Sequence, residues 1–574
     1  MFEINENYVK IEGLSRKTAL NDLQKWIRIR KDLYLQMEKQ VRHRLGEDTP
    51  ELMRYHKVYQ SEFSKKWQAT SQKELWSQIE DSQVVLMGDF HALHQSQKAQ
   101  QRVLRNIPKA RKTVLAVEFF EAADQDKIDK YISGKMSEKD FLKAIQWETR
   151  WGFPWEHYRP LLRFAQKNKL PVYGLNKAFK KRSATTLKSR DVFAGKKIAE
   201  IVKTHPESLI FVVYGDLHLA GEHIPAEIVK NLGAPFSKRI LRIFQNAEKI
   251  YFQLLQRGEE GGTELIRLSR NAFCLMSVPP WVKWQNYLMY LEQAYDEGLM
   301  RIEFDDQDDD DFDDDEDSDF EPLDYTDHVG RYVSIMAEEL GVKVSLANLS
   351  VYTAHDSSFW SQVRECYDQK QQAWIQSLIA DENSFYLPEI SAAYLARGTV
   401  NHAASLAMQY VHAQLSESQK FFSEMPRDFL RWIWLEAVAY FGSKMINLKR
   451  KTDTIADIKA SLAHRNPEET GKEALQLALA QKMHELMVIT GVPNHRLLAK
   501  PRKRSSYMVA ATLLGGMMGE RLFGGYQKKL VSTTSLVSFF KKPLENENFD
   551  VAYYGILEVV ESLPTPFHSK KEKL

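Results

Sequence analysis

The chain is poor in cysteine, with only Cys274 and Cys366 in the whole sequence. Two lone thiols exclude a disulfide framework and any cysteine-rich zinc module, and they suit a reducing compartment. Proline (19) and glycine (26) are too sparse for a collagen-like or low-complexity chain. A bilayer-length hydrophobic run is missing too. The longest apolar stretch near the C-terminus, Met508 to Met518, contains Gly515 and Gly516. It is too short to span a membrane and reads as a buried helix. The stretch from Met1 to Asn21 mixes charge and polarity without an apolar signal-peptide core, and no lipidation cysteine follows. The expectation is therefore a protein with no transmembrane segment and a cytoplasmic location.

What is present is an ordinary globular composition, 43% hydrophobic and 27% charged, in a chain too long for one core. The net charge of +2 hides an asymmetry. Between Glu303 and Asp319 stand 13 acids and no base, leaving 79 bases against 64 acids, +15, on the remainder. Such a run repels itself and buries nothing, so residues 303–320 are expected to form an acidic disordered linker. The one dense basic patch, Lys500-Pro501-Arg502-Lys503-Arg504, has no nucleic-acid motif beside it.

Hydrophobic periodicity divides the rest. Residues 1–80 read as a helical segment, with Leu20, Leu23, Trp26, Ile27 and Ile29 at helical spacing. Short apolar runs then follow at 83–87, 114–120, 171–175, 209–214 and 240–244, separated by helical stretches. That pattern predicts a mostly parallel sheet, buried on both faces, with helices on either side. This α/β domain is placed at 81–260, with a helical insert at 121–168. Trp147, Trp151 and Trp155 recur there at a helical spacing of four. They are expected to form the insert's core, the lesser alternative being that one of them lines a pocket. Residues 261–302 read as a helical connection. Residues 321–574 read as a mainly α-helical C-terminal domain, with one or two strands within 342–351. In it, His402 and His412 read as core or surface histidines and Glu436 as an edge or capping residue.

The chemistry gathers where the buried runs end. The first ends in Gly88-Asp89-Phe90-His91 and the fourth in Gly215-Asp216-Leu217-His218, two widely separated copies of strand–Gly-Asp-x-His. A second run carries Glu118, and a third ends in Asn176. Ligands of open parallel sheets bind at the carboxyl ends of the strands. These ends would bring His91, His218, Glu118, Asp89, Asp216 and Asn176 to one place. Two neutral imidazoles and a carboxylate suit zinc, manganese or ferrous iron with positions open for water, the aspartates steadying the histidines from behind. Without metal, a His/Glu pair serves as general acid and base. Imidazole or tyrosinate serves equally as an axial ligand to haem iron, with His94, His157, Tyr158, Tyr173 and Tyr214 near in sequence.

At these residues the sequence resembles the ChaN-like family of haem-binding or iron-regulated proteins, within the Tiki superfamily. The matching pieces are Val85 to His91 with His94 behind, Val117-Glu118-Phe119-Phe120, and Trp151 through Tyr158-Arg159-Pro160 with Phe164-Ala165. Gly174-Leu175-Asn176, Arg190-Asp191 and Val213 to His218 complete them, in family order within residues 80–250. Asp89 stands where the family commonly has glutamate. The long remainder of the chain after position 260 matches nothing nameable.

The resemblance implies a core α/β fold with a helical insert and a site at His91, Glu118 and His218. His94, Tyr158, Asn176 and Arg190 are then candidates for contacting haem or substrate. It implies haem or iron as cofactor in the ChaN-like branch, and metal-dependent hydrolysis of peptides or esters in the wider superfamily. A third reading is non-enzymatic: a vestigial site, with the C-terminal half binding a protein partner. The expected ligand is a small molecule or a peptide.

Overall fold

The computed structural model describes residues 16–45, 50–177, 184–296, 325–354, 356, 358–463, 469–492 and 503–564. The acidic run expected as a linker lies outside them. The chain divides into two compact units, Met1–Pro322 and Leu323–Lys573.

The first unit is built on an eight-stranded sheet. Its strands are β1 (Gln68–Ala69), β2 (Val84–Asp89), β3 (Thr113–Glu121), β4 (Val172–Asn176), β5 (Leu209–Gly215), β6 (Ile240–Gln245), β7 (Leu265–Ser269) and β8 (Ala272–Leu275), in the order β1-β7-β8-β6-β2-β5-β3-β4. Six neighbouring strands, β8 to β4 in that order, are parallel; β7 and β1 close one edge antiparallel. Every residue of β2 and β5 is buried, which explains why both read as unbroken apolar runs. Their register, Val84↔Ile210 through Asp89↔Gly215, sets the two Gly-Asp-x-His segments side by side.

Helices cover the sheet: α1 (Arg16–Leu45), α2 (Pro50–Ser61), α3 (Gln72–Asp81), α4 (His94–Asn106), α5 (Gln125–Ile132), α6 (Glu138–Ile145), α7 (Trp147–Arg150), α8 (Trp155–Asn168), α9 (Ala184–Thr204), α10 (Ile224–Leu232), α11 (Glu248–Arg257) and α12 (Pro280–Asp296). Helices α5 to α8 form the insert. Trp147 and Trp155 are buried in it at 4.9 Å, and Tyr131 stacks on Phe141. Helix α1 buries Leu33, Met37 and Val41, and its Arg30 pairs with buried Glu260 at 2.9 Å.

Residues 261–302, read from sequence as a helical connection, in fact contribute β7 and β8 before α12 begins at Pro280. Both strands are short and fold back on one another, so neither shows the long period that separates strand from helix.

The second unit comprises α13 (Tyr325–Leu340), β9 (Ser350–Tyr352), α14 (Ser358–Cys366), α15 (Gln369–Ala380), β10 (Phe385–Leu387), β11 (Ala392–Tyr394), α16 (Val400–Ser416), α17 (Phe429–Ile446), α18 (Ile455–Leu462), α19 (Glu469–Ile489), α20 (Arg504–Gln527), α21 (Thr533–Phe540) and α22 (Phe549–Ser562). The strand expected in 342–351 appears only at its end, as β9, which pairs in parallel with β11. Helices α17 and α20 cross closely. At Gly515 a Cβ would lie 2.7 Å from the Ile433 carbonyl, and at Gly519 one would lie 2.4 Å from that of Ala437. Glu436, read as an edge residue, faces this crossing: a Cβ on Gly515 would lie 2.5 Å from its own, and burial raises its carboxyl above the ordinary value. The Met508–Met518 stretch lies within α20. No helix among the described residues is long and apolar enough to cross a membrane.

Candidate functional site

Strand β2 delivers Asp89 at its last position and His91 just beyond. Gly88 precedes them because no side chain fits there: a Cβ would lie 1.8 Å from Asp216 Oδ1. Asp89 is 4% exposed and fully engaged. Its Oδ1 accepts from Gln97 and Gln100 on α4, each at 2.7 Å, and its Oδ2 from His91 Nδ1 at 2.8 Å and the Tyr158 hydroxyl at 3.2 Å. Burial alone would raise this carboxyl, but the hydrogen bonds from His91, Gln100 and Gln97 hold it below the ordinary aspartate value. An acceptor-only carboxylate at Nδ1 places the His91 proton there and leaves Nε2 with a free lone pair.

Glu118 comes from the middle of β3 and is 2% exposed. A buried carboxylate needs partners. Its Oε1 accepts from the Arg190 guanidinium on α9 at 2.5 Å, and its Oε2 from the Gly215 N–H at 2.6 Å. The same Oε2 lies 3.9 Å from His91 Nε2. Burial alone would lower the Arg190 guanidinium, but the charge of Glu118 beside it holds it above its ordinary value.

His218 follows β5 in a 3-10 turn, Asp216–Leu219. Its Nδ1 lies 2.5 Å from Asp191 Oδ1 and 2.8 Å from the Tyr55 hydroxyl, which donates to Asp191 Oδ2 at 2.8 Å. Tyr55 also stacks on His223 at 3.8 Å. Asp191 therefore does for His218 what Asp89 does for His91.

The three residues converge on Gly215. A Cβ there would meet Glu118 Oε2 at 3.3 Å, His218 Cδ2 at 3.4 Å and His91 Cε1 at 3.7 Å. His91 keeps 25% of its side chain exposed, against 6% for His218. Its ring sits 4.6 Å from Trp151 and 5.0 Å from Phe153, so one tryptophan of the insert does border the site.

Other residues singled out from sequence fall elsewhere or act differently. Asp216 does not orient His218: its oxygens accept from Tyr59 at 2.5 Å and the Gln245 N–H at 2.9 Å. Burial pushes it up to about 7, against the pull of Tyr59, Lys283 and that N–H. Its carboxylate lies against Gly88 of β2 and is held there by Tyr59 and the Gln245 N–H, not by the imidazole. Tyr158 is a fully buried second support for Asp89. His94 stacks flat on His157 at 4.6 Å. Asn176 accepts from the Lys177 N–H and lines a small surface depression with Glu121, Asp124, Trp147, Arg150 and Trp151. Among the described residues no three His, Cys, Asp or Glu side chains are arranged to hold a metal ion.

Sequence reasoning did not assign Asp191 and Tyr55 to the site. Asp191 sits beside Arg190 in a matched pair of residues, a usable signal. Tyr55 carried none, because it lies 163 residues from His218 in the chain, on helix α2.

Residues 75–186 match the family described as haem-binding uptake, Tiki superfamily, ChaN. The match takes in Asp89, His91, Glu118 and Tyr158 and stops short of Arg190, Asp191 and His218. A solved structure titled "Cofacial heme binding to ChaN of Campylobacter jejuni" is similar at 13% identity and a TM-score of 0.25, over 31% of this chain and 87% of that one. No curated protein matches this chain.

Proposed function

We propose, from the premise that residues 75–186 carry a ChaN-family segment, that the first unit binds haem at the carboxyl edge of its sheet, with His91 Nε2 as the nitrogen offered to iron. The observation that carries this reading is the state of His91: Nδ1 is tied to a buried carboxylate, Nε2 is free, the ring is solvent-accessible, and Trp151 and Phe153 flank it. A carboxylate behind an imidazole fixes its tautomer and raises its strength as a ligand, and the two aromatic faces offer an apolar flank to a flat macrocycle. The donor set fits haem better than a bare cation. Haem iron can be held by one protein nitrogen, whereas a protein-bound catalytic zinc typically takes three ligands. Haem, once bound, would supply a redox-active iron; the chain's own part is to present and orient the imidazole.

A second reading has support in the convergence on Gly215. There Glu118, His91 and His218 border one small space, and a cation drawing their donor atoms inward would supply an activated water for hydrolysis of a peptide or ester bond. One experiment separates the two. Purified chain is titrated with haem and followed by absorbance, and separately loaded with manganese or zinc and assayed for bound metal, each beside His91→Ala, His218→Ala and Gly215→Ala. The haem reading expects a Soret shift lost in His91→Ala and largely kept in His218→Ala. The metal reading expects stoichiometric cation lost in all three, because the Gly215→Ala methyl fills the shared space. Absence of a Soret shift in the parent chain overturns the first reading.

A further inference from the structure

The tryptophans of the insert do more than fill it. Trp147, Trp151 and Trp155 recur every four residues, which on one unbroken helix would set them in a stripe. The chain breaks that stripe, because Gln146 (φ 54°) and Gly152 (φ 74°) bend it at either end of α7. The rings meet in a file instead. From the His91 imidazole, ring centroids run 4.6 Å to Trp151, 6.4 Å on to Trp147, 4.9 Å to Trp155 and 6.1 Å to Tyr131. Every step lies within aromatic contact distance, about 4.5–7 Å.

The proton acceptors along the file give it a direction. An indole or phenol that has lost an electron becomes a strong acid, and the vacancy settles where a base takes the proton. Trp147 Nε1 donates to the Phe153 carbonyl at 2.9 Å, too weak a base for that. Trp155 Nε1 is buried with no hydrogen-bond partner among the described residues. An unpaired buried N–H costs stability, so packing alone does not favour it. Tyr131 differs. Its hydroxyl donates to Glu138 Oε2 at 3.2 Å, and Glu138 stands partly exposed at the start of α6 beside Arg159. Tyr158 also donates to a carboxylate, but Asp89 already accepts from His91, Gln97 and Gln100, which makes it the poorer base. A second aromatic file leaves His91 through Phe153, whose benzene ring is far harder to oxidise than indole or phenol.

We infer that Trp151, Trp147, Trp155 and Tyr131 form a one-electron relay that refills a redox group held at His91 after that group has lost an electron to an acceptor in solution. The inference rests on the haem reading of His91. In each transfer one electron leaves Tyr131 and passes by way of Trp155, Trp147 and Trp151 to the oxidised group. The Tyr131 O–H bond breaks, and its proton forms a new O–H bond on Glu138. Tyr131 ends as a neutral radical, the group at His91 is reduced back, and the external acceptor keeps the electron first taken. The oxidising equivalent is thereby carried away from the residues that hold the group, and parked beside a partly exposed carboxylate.

The test loads the full chain with zinc protoporphyrin, a haem analogue that gives up one electron when excited. A flash in the presence of pentaamminechlorocobalt(III) removes that electron irreversibly, reducing cobalt(III) to cobalt(II). Recovery of the porphyrin is followed by transient absorbance, and the tyrosyl radical by EPR on frozen samples. The parent chain should refill the porphyrin while a tyrosyl signal grows. Tyr131→Phe should lose that signal, and Glu138→Gln should delay it. Trp147→Phe and Trp155→Phe should each slow the refilling and lose the signal, whereas Tyr251→Phe, on α11, should change neither. The absorbance of the bound porphyrin in each variant shows that the site itself is intact. Failure of the parent chain to bind the porphyrin overturns the haem reading and the relay with it. Bound porphyrin that refills equally fast in Trp155→Phe, or a tyrosyl signal undiminished in Tyr131→Phe, overturns the relay alone.

Discussion

His412→Gln should flatten the acid sensitivity of the second unit. His412 is fully buried between α16 and α17, with Nε2 accepting from Trp434, and burial lowers its pKa from 6.5 to about 3. In the unfolded chain it titrates near 6.5, so between these values the unfolded state binds a proton that the folded state refuses. The stabilising contribution is therefore complete above pH 6.5 and drains away as pH falls toward 3. The slope is one proton, about 1.4 kcal/mol per pH unit, and the full loss approaches about 5 kcal/mol. His402, partly buried and lowered to about 4, adds to the slope in the same sense. Set against a domain stability of about 5–15 kcal/mol, a loss of this size is a third of the margin or more, and about half of it has accrued by about pH 4.5. Glutamine places an acceptor near the Nε2 position and does not titrate. Urea midpoints followed by tryptophan fluorescence at steps between about pH 7.5 and 4.5 measure the slope directly. The variant should start somewhat less stable at neutral pH, by about 1–3 kcal/mol for the disturbed packing and hydrogen bond, and then lose stability less steeply by one proton. Parallel slopes in parent and variant would refute the account of His412 as a buried neutral base.

Tyr55→Phe deletes the hydroxyl between Asp191 and His218 while keeping the ring stacked on His223. It should lower stability by about 1–2 kcal/mol, measured by urea unfolding, and reduce the effect of a subsequent Asp191→Asn change in a double-mutant cycle. Gly519→Ala places a methyl 2.4 Å from a backbone oxygen that cannot easily yield. A loss of about 1–3 kcal/mol is expected, whereas Gly471→Ala, where a Cβ meets nothing within 4 Å, should be neutral or slightly stabilising. Equal midpoints for those two glycine variants would mean that the α17–α20 crossing is looser than described.

The sheet was legible because its central strands are buried on both faces, so composition alone marks them. Both Gly-Asp-x-His segments could be read for the same reason: each follows a short unbroken apolar run that can only be a strand end. Legibility stopped where a residue's role depends on a partner chosen by register. Asp89 and Asp216 are identical in sequence context, yet Asp89 supports its histidine and Asp216 turns to Tyr59 and Gln245. Which aspartate serves depends on what stands across from it, and one lies against Gly88 while the other meets α4. Strands β7 and β8 were hidden by brevity, at five and four residues in an antiparallel edge. Tyr55 was hidden by distance, since nothing local distinguishes it from any half-buried tyrosine on a helix.

The pairing of β2 with β5 has a consequence in time. The two imidazoles stand at positions 91 and 218 of the chain. At synthesis rates of about 5–20 residues per second, the second leaves the ribosome roughly 6–25 s after the first. Through that interval His91 stands without His218, and Glu118, once made, waits for Gly215 until its last few residues. The slot between β2 and β3 that β5 will occupy is an open strand edge on either side. A ligand that needs the completed edge cannot be captured during that interval, and a chaperone that shields apolar strand edges has its opportunity in the same window.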